Sequence, residues 1–172
     1  MDAPFSSIYD LSRLSDAGAE VTLAPNAEQR AQLAEFADVQ AIEQFEARVI
    51  LHRHSASRFA LDATLKADVV QKCVVTLEPV RSHVDLAISR ALHLTKFAAS
   101  ARISEHELAP GTDEGPEEIQ DTHYDIAAPV LEEFVLAIDP YPRAPGVIYE
   151  PPTEEEPAKS PFAALKSLKG PA

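Results

Sequence analysis

From Arg58 to Val70 the chain alternates strictly. Phe59, Leu61, Ala63, Leu65, Ala67 and Val69 are apolar, while Arg58, Asp62, Thr64, Lys66 and Asp68 fall between them. A period of two sends the first set to one face of a strand and the second to the other, a pattern no helix produces. One face must be buried and one wet, so the segment needs strands on its edges and a covering layer on one side. Ala47–His54 is the first such strand, because Ser55-Ala56-Ser57 is a connection of hairpin length and implies antiparallel pairing. Val84, Leu86, Ile88, Leu92 and Leu94 resume the alternation, interrupted by Arg90, and give a third long strand. The expected fold is α+β: an antiparallel sheet, open or curled into a barrel, covered by helices near 27–38 and 126–138.

The first helix is signalled by Asn26, which suits an N-cap with Gln29 at the capping-box position, followed by a small apolar face of Ala27, Ala31, Leu33, Ala34, Phe36 and Ala37. In the second, Ile126, Val130, Leu131, Phe134, Val135 and Ile138 follow helical spacing. Asp125 is expected to cap it, and Pro129 is tolerated in the first turn. Val21–Leu23 reads as a short strand, and Phe5–Leu14 as an edge strand or an irregular arm.

Between the second and third long strands lies Gln71–Val80, which holds the sole cysteine, Cys73. Glu78-Pro79 marks it as a corner, since proline confines the preceding residue to extended conformations and donates no ladder hydrogen bond. Cys73 reads as a small buried hydrophobe in that corner. A single cysteine forms no internal disulfide, which fits a reducing compartment. His52 and His54, two apart on one strand face, have a spacing that can hold a metal, but a pair without a nearby third ligand reads as two residues on a solvated face beside Arg48. The sequence contains no Gly-rich phosphate loop, HExxH or GxSxG motif. A thiol- or metal-dependent enzyme built on Cys73, His52 and His54 is the alternative to a protein that acts by binding. No cofactor is expected.

Three separated stretches carry a resemblance. Cys-Val-Val-Thr-Leu-Glu-Pro-Val (Cys73 to Val80), Glu-Glu-Phe-Val-Leu-Ala-Ile-Asp-Pro-Tyr-Pro-Arg-Ala-Pro-Gly (Glu132 to Gly146) and Pro-Phe-Ala-Ala-Leu (Pro161 to Leu165) together resemble the YceD family, in that order and spacing. The resemblance implies a role in making or maintaining the large ribosomal subunit, through a ribosomal precursor RNA or a ribosomal or assembly protein, without implying a catalytic residue. Its motif positions are the candidates for partner binding: Cys73, Thr76, Glu78, Pro79, Tyr141, Pro142, Arg143, Phe162 and Leu165. Many relatives carry Cys-x-x-Cys at the corner; here Thr76 stands at the second cysteine position, a departure that counts against a shared redox or metal role.

Charge separates the chain into two parts. Its formal net charge is -13, which opposes non-specific binding to nucleic acid. Residues 1–104 hold 11 Lys and Arg against 13 Asp and Glu, whereas residues 105–172 hold 4 against 15. A nearly neutral first part leaves room for local RNA contact; DNA and membrane are not expected partners. No signal peptide or membrane span is apparent, so a cytoplasmic location is expected. Residues 1–143 read as one α+β domain with an acidic, mobile loop over about 105–118, and 144–172 as a Pro/Glu-rich linker followed by a short amphipathic segment. In that segment Ser160 and Pro161 suit a helix start, and Phe162, Leu165 and Leu168 line one side. Ten residues are too few to stay helical alone. The segment must fold on its own sheet or on a partner, and the partner is the expectation.

Overall fold

The computed structural model describes residues 4–95 and 115–149. Three long antiparallel strands form its centre: β3 (Ala41–Arg53), β4 (Arg58–Lys72) and β5 (Pro79–Leu94). β4 keeps the expected alternation throughout, with Phe59, Leu61, Ala63, Leu65, Ala67 and Val69 all buried. β2 (Ala19–Leu23) pairs antiparallel with β3 on one side, and β6 (Glu117–Ile119) pairs with β5 on the other, giving the order β2-β3-β4-β5-β6. The β5–β6 pairing is parallel. The sheet is therefore mixed, and it stays open rather than closing into a barrel.

The starts of β3 and β5 differ from the sequence expectation. β3 begins at Ala41 rather than Ala47, because its register shifts between Ile42 and Gln44 and breaks the period of two. That irregularity lets Ile42 and Phe45, three apart, both point into the core. β5 begins at Pro79, where a missing N–H is tolerated as the first residue of a strand.

The covering layer lies on one face. α1 (Ala27–Phe36) packs on β3, and its capping box is closed as expected, with Asn26 Oδ1 accepting from Gln29 N and Gln29 Oε1 accepting from Asn26 N, both at 2.9 Å. α2 (Ala128–Ala137) lies across β4 and β5. Phe134 is fully buried and meets the Phe45 ring edge-on at 5.2 Å, while Phe5 meets Phe45 from the other side at 6.2 Å. Burying a side chain of that size stabilises by about 2–3 kcal/mol.

Asp125 does not cap α2, which starts three residues later at Ala128 with Ala127 as N-cap. Its carboxylate instead accepts from Ser7 N at 2.9 Å and Ala127 N at 3.0 Å. The reason is tertiary: Asp125 is the last residue of β7 (His123–Asp125), which pairs with β1 (Ile8–Asp10) in a second, two-stranded sheet. That pairing fixes the N-terminal arm, whose Leu11 and Leu14 are buried. Gly18, at φ 81, turns the arm into β2 where a Cβ would stand 2.7 Å from the Leu51 carbonyl oxygen. Only glycine fits such an approach. Of the expected acidic loop and C-terminal segment, residues 105–114 and 150–172 lie outside the described residues, and Glu117 and Glu118 belong to β6.

Candidate functional site

β4 and β5 are joined by Cys73–Glu78, and the way these residues close the turn defines the site. The Cys73 amide donates to the Glu78 carbonyl at 2.8 Å and the Leu77 amide to the Cys73 carbonyl at 2.9 Å. This geometry places Leu77 at φ 62, a left-handed conformation that branched and bulky side chains avoid. The segment after α2 returns to the same corner. Val74 N donates to the Pro142 carbonyl at 2.9 Å, and buried Gln71 donates through Nε2 to the Asp139 carbonyl at 2.8 Å. Two motif stretches some seventy positions apart thus form one end of the molecule.

Cys73 is 0% exposed, yet it stands apart from the contiguous hydrophobic core. It is covered by the turn and by the returning segment. Its sulfur accepts from Thr76 N and Ala144 N, each at 3.4 Å. The Thr76 hydroxyl acts first, then the Thr76 and Ala144 amides, and together they bring the thiol from its ordinary 9.0 down to about 6. Sulfur here is a hydrogen-bond acceptor that ties Ala144 to the corner. Thr76, at the position of the second cysteine of a Cys-x-x-Cys, supplies donors to that sulfur instead of a second thiolate. The corner therefore lacks a metal's donor set, and no group of three or more His, Cys, Asp or Glu able to hold a metal ion occurs among the described residues.

The alternative grouping of Cys73 with His52 and His54 is taken apart by register. His52 pairs with Ala60 at the far end of β4, so along the strand it stands about 40 Å from Cys73 at a rise of ~3.3 Å per residue. His52 lies on the solvated face with Nε2 3.6 Å from Asp62, and His54 is in the Ser55–Ser57 turn.

Of the remaining motif positions, Pro142 is buried against the corner, whereas Thr76, Glu78, Pro79, Tyr141 and Arg143 are exposed around it. Phe162 and Leu165 lie outside the described residues. Sequence reasoning passed over Val74 and Leu77, which are 46% and 71% exposed and stand with Tyr141, 71% exposed, at the same end. These are large apolar side chains left exposed at the end where the two motif stretches meet. The signal available was two apolar residues inside a turn, where β4 has ended and alternation no longer assigns them to the core.

The open, one-faced α+β sheet has its β4–β5 corner clasped by a distant segment, and no catalytic constellation is visible among the described residues. The family described as large ribosomal RNA subunit accumulation protein YceD matches residues 61–169 of the 172. The chain belongs to this family. No curated protein and no solved structure matches it. The family's description fits a role in ribosome assembly. No helix among the described residues is long and apolar enough to cross a membrane.

Proposed function

We infer that this protein supports accumulation of large-subunit ribosomal RNA by binding a ribosomal precursor or an assembly partner, and that it is not an enzyme. One observation carries the reading: Val74, Leu77 and Tyr141 present apolar surface at the end where the two motif stretches meet. Arg143 is exposed beside them and can pair with an acidic group or a phosphate. The thiol is covered from solvent and its neighbours are hydrogen-bond donors rather than a general base, which favours a structural use of sulfur. Phe162 and Leu165 complete the proposed contact from the C-terminal segment; truncation after Pro157 should leave the melting temperature unchanged and weaken function. Sucrose-gradient profiles of a deletion strain test the whole reading. Reduced large subunits and reduced levels of their RNA are expected, and normal levels of both would overturn it.

A further inference from the structure

Among the described residues, β5 is paired from Pro79 to His93 on one side and along only three residues on the other. Toward β4, every residue from Pro79 to His93 has a partner; toward β6, only Leu92, His93 and Leu94 do. The direction of the main-chain groups follows from two hydrogen bonds at the strand's end. Leu94 N donates to Ser57 O at 2.7 Å on the β4 side, and Thr95 N donates to Ile119 O at 2.9 Å on the β6 side. Because successive residues of a strand point their N–H and C=O groups to opposite edges, His83, Asp85, Ala87, Ser89 and Ala91 turn theirs to the open edge. No strand among the described residues accepts them.

The edge borders a cleft of about 910 Å3, lined by Ser89 and Ala91 of the edge and by Arg90, Leu131, Val135 and Leu136. Leu136 is 73% exposed. Arg90 is held across the strand–helix junction by Glu133 at 2.6 Å and Glu132 at 3.5 Å. At the rim, Tyr124 donates its hydroxyl to Glu117 at 3.0 Å. Next to the cleft the edge residues are small, Ala87, Ser89 and Ala91, so another backbone can approach closely.

Charge selects the occupant. Of the cleft's lining residues Glu117, Asp125 and Glu132 are carboxylates and Arg90 is the cation, itself held by Glu132 and Glu133, and residues 115–139 as a whole contain seven carboxylates and no Lys or Arg. A second copy of a chain with net charge -13 is repelled from such a rim, and so is a phosphate backbone. On the sheet's solvated face Arg48, Lys66 and Arg81 each already stand against a carboxylate, of Glu20, Asp85 and Glu43. We propose that the open edge of β5 binds an extended, basic polypeptide segment as an added strand, with alternate apolar side chains entering the cleft and the intervening Lys or Arg side chains on the opposite, solvated face, drawn in by the chain's net negative charge. The identity of the partner as an assembly component rests on the preceding functional reading; the edge chemistry does not.

The test uses the full chain and a labelled peptide of alternating Lys and Val, with a Glu–Val peptide and a large-subunit ribosomal RNA fragment as comparators. The Lys–Val peptide is expected to bind, more weakly as salt rises, and to slow amide exchange at Asp85, Ala87, Ser89 and Ala91. Ala87→Pro and Ser89→Pro each remove an outward N–H without removing a bond to β4, so both should fold and lose about tenfold in affinity. Exchange protection is read on the unsubstituted chain and stands even where a proline variant fails to fold. Equal binding of the Glu–Val peptide, preferred binding of RNA at this edge, or amides already protected in the free protein would each overturn the proposal. A missing peptide interaction alongside a genuine large-subunit defect in the deletion strain removes only the strand-addition mode, not the assembly role.

Discussion

β4 is closed by two turns that do the same topological job with different chemistry. At one end, Ser55 Oγ accepts from Ser57 N at 3.3 Å and Arg58 N at 3.1 Å, while His54 N and Ser55 N donate to the Arg58 carbonyl at 2.9 and 3.1 Å. The bonds that close this turn lie within five consecutive residues. At the other end, the Cys73–Glu78 turn draws on Pro142 and Ala144, with Gln71 of β4 beside it bonded to Asp139, holds a leucine at positive φ, and exposes Val74 and Leu77. A turn needed only to reverse the chain satisfies itself with a nearby hydroxyl. One that recruits distant backbone, keeps a leucine at positive φ and leaves apolar side chains in water is the end at which the proposed contact is tested, since strain of this kind concentrates at functional sites.

The contrast can be broken most severely at Leu77. Leu77→Asp removes exposed apolar surface without touching the core, so the protein should remain folded while large-subunit RNA falls to the level of a deletion strain. Ribosomal RNA levels and a melting curve, measured together, decide this; retained function would remove Leu77 from the contact. Next in size is Cys73→Ala, which leaves the Thr76 and Ala144 amides without their acceptor and should lower the melting temperature by about 5 °C, with Cys73→Ser closer to the unsubstituted protein.

The same sulfur sets a pH dependence. Its folded pKa is depressed, so its stabilising contribution is complete above 9.0 and is lost as pH falls through about 6. Urea midpoints between those values should rise with pH, and the slope should flatten in Cys73→Ala; an equal slope in both proteins would show that other groups carry it.

Leu77→Gly probes strain with less disturbance. It should leave stability unchanged or raise it by up to about 1 kcal/mol, since glycine accepts the positive φ but gains freedom in the unfolded chain. Function should still fall. The smallest effect belongs to the other turn, where Ser55→Ala removes an exposed acceptor and should cost no more than about 0.5 kcal/mol in urea unfolding, with normal ribosomal RNA.

Much of the fold was legible because its signals are local. The period of two in β4, the Asn26–Gln29 box and the Ser55–Ser57 connection each depend on residues near in sequence, and each appears where expected. The misplaced Asp125 cap and the late start given to β3 have the opposite origin. A strand pairing with the N-terminal arm claimed the carboxylate, and an irregularity in register hid the first six residues of β3 from a search for alternation.

For the candidate site the division runs along the same line. Composition and pattern alone determined a one-faced sheet with two covering helices, an acidic C-terminal part and a corner at Cys73. The resemblance to the YceD family, and not composition or periodicity, marked Tyr141, Pro142 and Arg143 as a motif. That Pro142 and Ala144 clasp that corner, that His52 stands at the far end of β4 from it, and that no strand among the described residues pairs with most of the second edge of β5 were decided only in three dimensions. Periodicity records which face a residue takes within its own element; which distant backbone satisfies a given N–H depends on how the elements pack.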